Sequence, residues 1–438
     1  MQNTSRKTVV IGAGVIGCAI ALQLRRKGYQ TVNVDKNPEV GYGSTSYSCA
    51  VVRFSYSLPE TVMLAYEGYH YWKHWEQFVG RTDERGLARY HQCGHLMLRS
   101  TAEDRASVVQ FYKELGIPFA EWDLETIRHR LPVFDLRLMG PAVALDDPRF
   151  FDEPSSNQTM YGGVFTPEAG YIGDPQLATH NLRRAVEASG GGFVLGKRVT
   201  AILRDDERVL GVELEDGTRI DADIVVNAAG PYSSIVNKLA GVDKGMSIGT
   251  RALRREVHHL PSPANFDFGQ YGMMTSDGDL YQYFRPEAGA KLTVGSGDPP
   301  CDAQTWVDDP DNFNTEFTES QWNTQVYRAA KRIPDLPIPG KAQGVVSLYD
   351  VADDWVPLYD KSDLKGFYMA VGTSGHQFKN AGVVGELMSV LIDACEQGHD
   401  HDADPLSFTG RYTGYRFSIG TFSRLRAINK DSSFSVRG

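Results

Sequence analysis

Gly12, Gly14 and Gly17 stand in the run GAGVIG, directly behind the apolar residues Val9, Val10 and Ile11 and at the start of a helical pattern that opens with Val15 and Ile16. In such a run the first glycine permits a tight turn, the second lets a pyrophosphate approach the backbone, and the third lets helix and strand pack closely. The helix start then offers free N–H groups to phosphate. Asp35, followed by Lys36, ends the next apolar run, TVNVD. A carboxylate there can accept hydrogen bonds from the ribose of a dinucleotide, and it disfavours a 2′-phosphate, which leaves FAD or NAD and sets NADP aside. A glycine turn that binds nothing is the competing reading, and Asp35 weighs against it.

Lys291, in GAKLTV, interrupts a small-residue turn that runs into an apolar strand. It is either a solvated edge lysine of the kind that deters strand pairing or a charge that the strand exists to present. The stretch RALRREVHHL, with Arg251, Arg254, His258 and His259, is basic for so acidic a chain. It favours an acidic substrate, or it is one charged face of a strand. His399 and His401 stand among aspartates and read as a solvated turn, and no metal site is expected anywhere.

These residues need elements to position them. The opening KTVVIGAGVIGCAIALQLRRKGYQTVNVDK switches from strand to helix to strand period, as a βαβ unit must, with Gly28 ending the helix. From about 60 to 155 the pattern turns helical and aromatic; from 161 to 242 α/β character returns, with a hairpin signalled by Asp216-Gly217. Residues 245–340 read as a mostly antiparallel sheet with connecting helices, and GFYMAVGTSGHQFKNAGVVGELMSVLI is strand, glycine turn and helix again. An NAD dehydrogenase would normally complete its cofactor domain in one stretch, whereas this chain returns to it near 199, 230 and 372.

At 438 residues the chain exceeds what one core usually organises, so two domains are expected. The net charge of -10 argues against a nucleic-acid partner. Five scattered cysteines (Cys18, Cys49, Cys93, Cys301, Cys395) without metal-ligand spacing suit free thiols in a reducing compartment. An apolar strand begins within the first ten residues in place of a signal peptide, and no apolar run is long enough to cross a bilayer. A cytoplasmic protein with no membrane partner is expected.

VVIGAGVIG, GSTSYSCAVVR at 43–53, GYIGDPQLATHNLRRAV, DIVVNAAGPYSS at 223–234 and GTSGHQFKNAGVVGELM at 372–388 follow one another in order. Together, from residue 7 to about 395, they resemble the flavin-dependent D-amino-acid oxidase superfamily, and within it the sarcosine oxidase and dimethylglycine dehydrogenase branch. The resemblance implies an α/β fold: a Rossmann-like FAD-binding domain of the glutathione-reductase type, with an inserted α+β substrate domain built on a mostly antiparallel sheet. Residues 1–80, 156–244 and 341–400 would form the first, residues 81–155 and 245–340 the second, and 401–438 a tail packed on the body.

It further implies FAD in an extended form. Gly43, Ser44, Thr45 and Ser46 would lie near the pyrophosphate and flavin, the main chain of Val199 at the adenine, and Ala229 and Gly230 at the pyrophosphate. Gly372, Gly375, His376, Gln377 and the helix after them would bring N–H groups and a positive dipole end to the flavin pyrimidine. Relatives that bond flavin covalently use a histidine or a cysteine where this chain has Tyr47 and Ser347, so noncovalent FAD is expected.

The implied reaction is hydride transfer to flavin N5 from a carbon next to nitrogen, followed by imine hydrolysis and reoxidation of the flavin by O2 to H2O2. The substrate would be a small secondary amine or amino acid with a carboxylate. Arg53 and Lys379 match the pair that holds that carboxylate, a task suited to a guanidinium fork. His376 would neighbour the flavin edge, Tyr281 and Tyr283 would sit on the roof strand or in the core, and Lys291 would face the flavin where O2 reacts. Three alternatives stand beside this reading. LYDVADDWVPLYD looks more like the dehydrogenase branch, which passes electrons to another carrier. A D-amino-acid or 2-hydroxy-acid oxidoreductase is the second, and for a hydroxy acid His376 is the base available. A flavin-free binding protein that kept the fold is the third.

Overall fold

The computed structural model describes residues 6–154 and 157–436; the expected unit limits at residues 1, 155–156 and 438 fall outside them. In chain order the elements that position the site begin with β1 (Lys7–Ile11), α1 (Val15–Arg26), β2 (Gln30–Asp35) and α2 (Pro59–Lys73). After β3 (Gly192–Leu195) and β4 (Ile224–Asn227) come β5 (Thr250–Pro261), β6 (Gln282–Glu287), β7 (Lys291–Ser296) and α3 (Glu319–Arg332). The last are β8 (Gly344–Ala352), β9 (Leu358–Lys361), β10 (Phe367–Val371) and α4 (Ala381–Glu396).

One sheet has the order β9-β10-β4-β1-β2-β3. Its five inner-to-edge strands β10, β4, β1, β2 and β3 run parallel, and β9 closes the far edge antiparallel. The parallel strands are apolar nearly throughout because helices cover one face and a three-stranded meander the other. α1 and α4 pack against each other so closely that a Cβ on Gly385 would lie 2.6 Å from the carbonyl oxygen of Ala19. That approach requires glycine.

The second sheet is nine-stranded and mostly antiparallel. β5 lies between β7 and β8, and β6 pairs with β7. Alternation along β7 sends Leu292 and Val294 into a core shared with Trp322, Val326 and Ala329 of α3. The opposite face of the sheet turns toward the first sheet. One parallel pair, Met274–Asp277 beside His95–Arg99, departs from the antiparallel pattern. The latter strand, HLMLR, lies inside the stretch read as helical; it is buried along its whole length, and an apolar run that short has no readable period.

The segment after residue 400 is tied to the body. The Glu67 carboxylate of α2 accepts from the N–H groups of Tyr412 and Thr413, and Arg424 bridges Asp360 and Asp402. His401 is buried against Asp360, its Nδ1 accepting from the Leu406 N–H, so it is not part of a solvated turn. No helix among the described residues is long and apolar enough to cross a membrane.

Candidate functional site

A cavity of about 460 Å³ runs from the glycine loop after β1 to the inner face of the antiparallel sheet. At its first end Gly12 has φ +114, and a Cβ there would meet the carbonyl oxygen of Ala228 at 2.3 Å. A Cβ on Gly17 would likewise lie 2.3 Å from the Gly12 carbonyl oxygen. Helix α1 begins with Gly14 in extended conformation and no side-chain cap. Val15 donates to Thr45 Oγ1 at 3.2 Å, and Ile16 and Gly17, whose first-turn amides precede the first intrahelical bond, line the cavity. Asp35 clamps this loop: Oδ2 accepts from the Ala13 N–H at 2.7 Å and Oδ1 from the Asn37 N–H at 2.8 Å. Lys36 lies 4.0 Å from the centre of the Tyr232 ring and pairs with Asp311. An open helix end, a glycine cradle that admits no Cβ and a carboxylate at the strand end fit the diphosphate and ribose of FAD.

Most of the residues expected around the cofactor line this cavity. They are Gly12, Gly14, Val15, Ile16, Gly17, Asp35, Lys36, Gly43, Ser44, Thr45, Val199, Ala229, Gly230, Gly375, His376 and Gln377. Ser46 is not among them: its backbone N–H bonds to Gly41 and its hydroxyl to the Gly43 carbonyl. Gly372 is not among them either. Its N–H is taken at 2.6 Å by Asp350 Oδ2, so it braces the loop from behind and does not line the cavity. Asp350 also accepts from Ser233 Oγ at 2.7 Å, and burial pushes its carboxyl up to about 7.

At the other end Arg53 and Lys379 flank one tyrosine. The Arg53 guanidinium carbon lies 4.6 Å and Lys379 Nζ 5.0 Å from the centre of the Tyr56 ring. Lys379 is 1% exposed and donates to the Tyr56 hydroxyl and the His376 carbonyl. Burial, then the charge of Arg53, hold its ammonium form well below the usual lysine range. Arg53 donates to the Ser55 carbonyl and hydroxyl and to the Val436 carbonyl. Among the described residues no carboxylate pairs with either cation.

His376 lines the cavity, but both ring nitrogens are engaged. Nε2 lies 2.9 Å from the Trp355 carbonyl and Nδ1 2.8 Å from Gln377 Nε2. Burial, followed by Lys379 and Arg53, keeps the ring neutral, well below the ordinary histidine range. A neutral imidazole that donates on one side and accepts on the other has no lone pair left to act as a base, which removes the catalytic role expected of it.

Lys291 does not reach the cavity. It is exposed at the tip of the β6–β7 hairpin, opposite Glu287 and Pro261. Tyr283, which does line the cavity, pairs with Gly295, four residues along β7, roughly 13 Å away at the rise of a strand. A cation of this sheet that does line the cavity is Arg255 of β5. It is half-buried, pairs with Asp298, donates to the Ser296 carbonyl at 3.2 Å and lies 5.6 Å from the Tyr349 ring centre. Tyr283 adds a contact of 3.5 Å to Cys49 Sγ, and burial pushes its hydroxyl well above the usual value. Tyr47 and Ser347 line the cavity; Tyr281, Arg251, Arg254, His258 and His259 do not. Arg255 was hidden inside RALRREVHHL, whose alternation sends Arg254, Glu256 and His258 toward α3 and Arg255 and Val257 toward the cavity.

Among the described residues one group has the proximity to hold a metal ion, Asp83, Glu84 and His180. Asp83 there is already bonded to His180 Nδ1 and Asn181 Nδ2, both at 2.8 Å, and the group lies outside the cavity.

The family model described as FAD dependent oxidoreductase (DAO) matches residues 7–391. FAD-dependent oxidoreductase domain-containing protein 1 of Bos taurus is 23% identical over 453 residues, covering 93% of this chain and 85% of its own. L-proline dehydrogenase from P. horikoshii superposes with a TM-score of 0.72 at 20% identity, covering 90% of this chain and 94% of the other. Glycine oxidase from Geobacillus kaustophilus superposes with a TM-score of 0.72 at 17% identity, covering 97% and 100%.

Proposed function

Since the chain belongs to the FAD dependent oxidoreductase (DAO) family and its cofactor is therefore FAD, we propose that it oxidises the C–N bond of a small amino acid or N-alkyl amino acid. The observation that carries the reading is the pair Arg53 and Lys379, a guanidinium and an amine held on one tyrosine at the cavity's inner end, with no carboxylate partner among the described residues. Buried charge left without a counter-ion is costly, and a substrate carboxylate would supply one. The arginine fork takes it in bidentate fashion, once it gives up an existing carbonyl contact.

FAD supplies the two-electron acceptor for the hydride leaving the carbon beside nitrogen. The protein binds and orients. Gly12, Gly14, Gly17, Asp35 and Thr45 hold the cofactor's diphosphate and ribose end, while Tyr283, Tyr349 and Arg255 wall the inner end. The imine product then takes up water and parts into a carbonyl compound and an amine. We keep FAD noncovalent in this reading, because Tyr47 and Ser347 are neither histidine nor cysteine. We also keep the division into a cofactor unit (1–80, 156–244, 341–400) and a substrate unit (81–155, 245–340). A hydroxy acid is disfavoured, since His376 has no free lone pair to take a hydroxyl proton.

O2 as the acceptor, yielding H2O2, belongs to the proposal, with Arg255 in the place that Lys291 was expected to fill. The exposure of Lys291 favours a second reading, a dehydrogenase that hands electrons to another carrier. The test is a screen of N-methylated, cyclic and D-amino acids for anaerobic bleaching of the flavin absorbance, followed by admission of air. Bleaching by none of them would sink the amine reading. Bleaching that persists for minutes in air without peroxide would select the dehydrogenase.

A further inference from the structure

Amine oxidation poses a proton problem that the cavity itself addresses. An amino acid arrives as a zwitterion, but its nitrogen must lose a proton before its lone pair can form the imine. His376 has both nitrogens engaged. Asp350 is bonded to the Ser233 hydroxyl and the Gly372 N–H. Lys379 shares the Tyr56 ring with Arg53, its Nζ held between the Tyr56 hydroxyl and the His376 carbonyl.

We propose that Lys379 is the acceptor of the substrate's ammonium proton, while Arg53 takes its carboxylate. The step balances within the site: the substrate's N–H bond breaks, an Nζ–H bond forms at Lys379, and the nitrogen keeps its electron pair. Substrate enters with no net charge and the site gains none, yet the resulting lysine ammonium now pairs with the carboxylate on Arg53. This inference rests on the amine-oxidising reading above.

The surroundings favour a neutral lysine before substrate binds. Arg53 and Tyr56 face it from one side and His376 from the loop, and the buried Tyr359 of β9 bonds Gln377 behind them. The acids on the neighbouring helices turn elsewhere, Glu67 of α2 to the Tyr412 and Thr413 amides and Glu386 of α4 to Tyr71 and Arg411. Burial first, and then Arg53, therefore lower the proton affinity of Lys379, and a bound carboxylate restores it.

The test uses the FAD-loaded protein and acetate, a carboxylate with no amine proton to give. Calorimetry near neutral pH in buffers of different ionisation enthalpy should read about one proton taken up per acetate bound, and none in Lys379→Met or Lys379→Arg. In Lys379→Arg, whose fixed positive charge cannot accept a proton, anaerobic flavin bleaching by substrate should fall about tenfold for each pH unit below the free amine's own pKa. It should recover in alkaline buffer. Acetate bound without proton uptake, no acetate binding at all, or an unmoved pH profile in Lys379→Arg would each overturn the proposal. The wild-type calorimetry stands even if a variant misfolds. It also needs no turnover, so a protein that oxidises no amine defeats the earlier reading without deciding this one.

Discussion

Arg53 donates through Nη2 to the main-chain carbonyl of Val436, residues 383 positions apart that meet at the inner end of the cavity. Val436 lines that cavity and packs beside Leu253, Val351 and Trp355. One arm of the guanidinium is thus spent on a neutral acceptor where an anion would bind more strongly. A carboxylate must displace this carbonyl or settle for the remaining N–H groups. A chain truncated after Lys430 should therefore bind acetate about tenfold more tightly, the size of one charged hydrogen bond. Perturbation of the flavin spectrum during titration reads this directly, and weaker binding would mean that the strap builds the site.

Arg53→Ala removes the anchor while leaving the cofactor end intact. KM for an amino-acid substrate should rise by two orders of magnitude or more, as expected for a lost bidentate charge-assisted pair at about 1.5–3 kcal/mol per hydrogen bond. Oxidation of the corresponding amine without a carboxylate should hardly change. If both substrates suffer equally by steady-state assay, Arg53 holds up the fold through Ser55 and Val436 and binds no carboxylate.

The cofactor end was readable because its determinants are local. Gly12, Gly14, Gly17 and Asp35 fall within one βαβ unit, and the clamp from Asp35 to the Ala13 amide spans 22 positions. The inner end was not, because it is assembled from strand parity and distant pairing. Arg255 faces the cavity since β5 pairs it with Ser347 of β8, a register no short stretch announces. A shift of one residue exchanges the two faces. Lys291 failed for the same reason: its place depends on where the β6–β7 hairpin turns. Ala290, with φ +53, turns it just before Lys291, leaving the lysine in solvent. The Lys379 and Arg53 pair was visible only through the resemblance to a known family, and its lack of a carboxylate partner among the described residues only through the fold.

Lys291→Met should consequently leave the reoxidation of reduced flavin by air within twofold of wild type. Arg255→Lys is the informative partner, since it retains a charge for Asp298 but loses the fork that also reaches the Ser296 carbonyl. If O2 is the acceptor, reoxidation in this variant should slow about tenfold or more by stopped-flow absorbance, an effect of weakened electrostatic preorganisation. Slow reoxidation in Lys291→Met, with Arg255→Lys unaffected, would return the role to the hairpin tip.

Asp350 couples the same loop to pH. Burial raises its carboxyl from 3.8 to about 7, so the folded chain holds a proton that the unfolded chain releases once the pH passes 4. Between those values the native state binds more protons, and stability falls as pH rises; below 4 the contribution is fully present, and above about 7 it is lost and the slope vanishes. The window amounts to roughly 4 kcal/mol at most. Asp350→Asn preserves an acceptor for the Gly372 N–H and cannot ionise, so it should flatten that part of the stability curve. Chemical denaturation of wild type and variant at pH 5 and at pH 8 checks it: wild type should lose more stability between the two than Asp350→Asn does. Equal losses would mean that the Ser233 hydroxyl and the loop amides already carry the charge of an ionised Asp350.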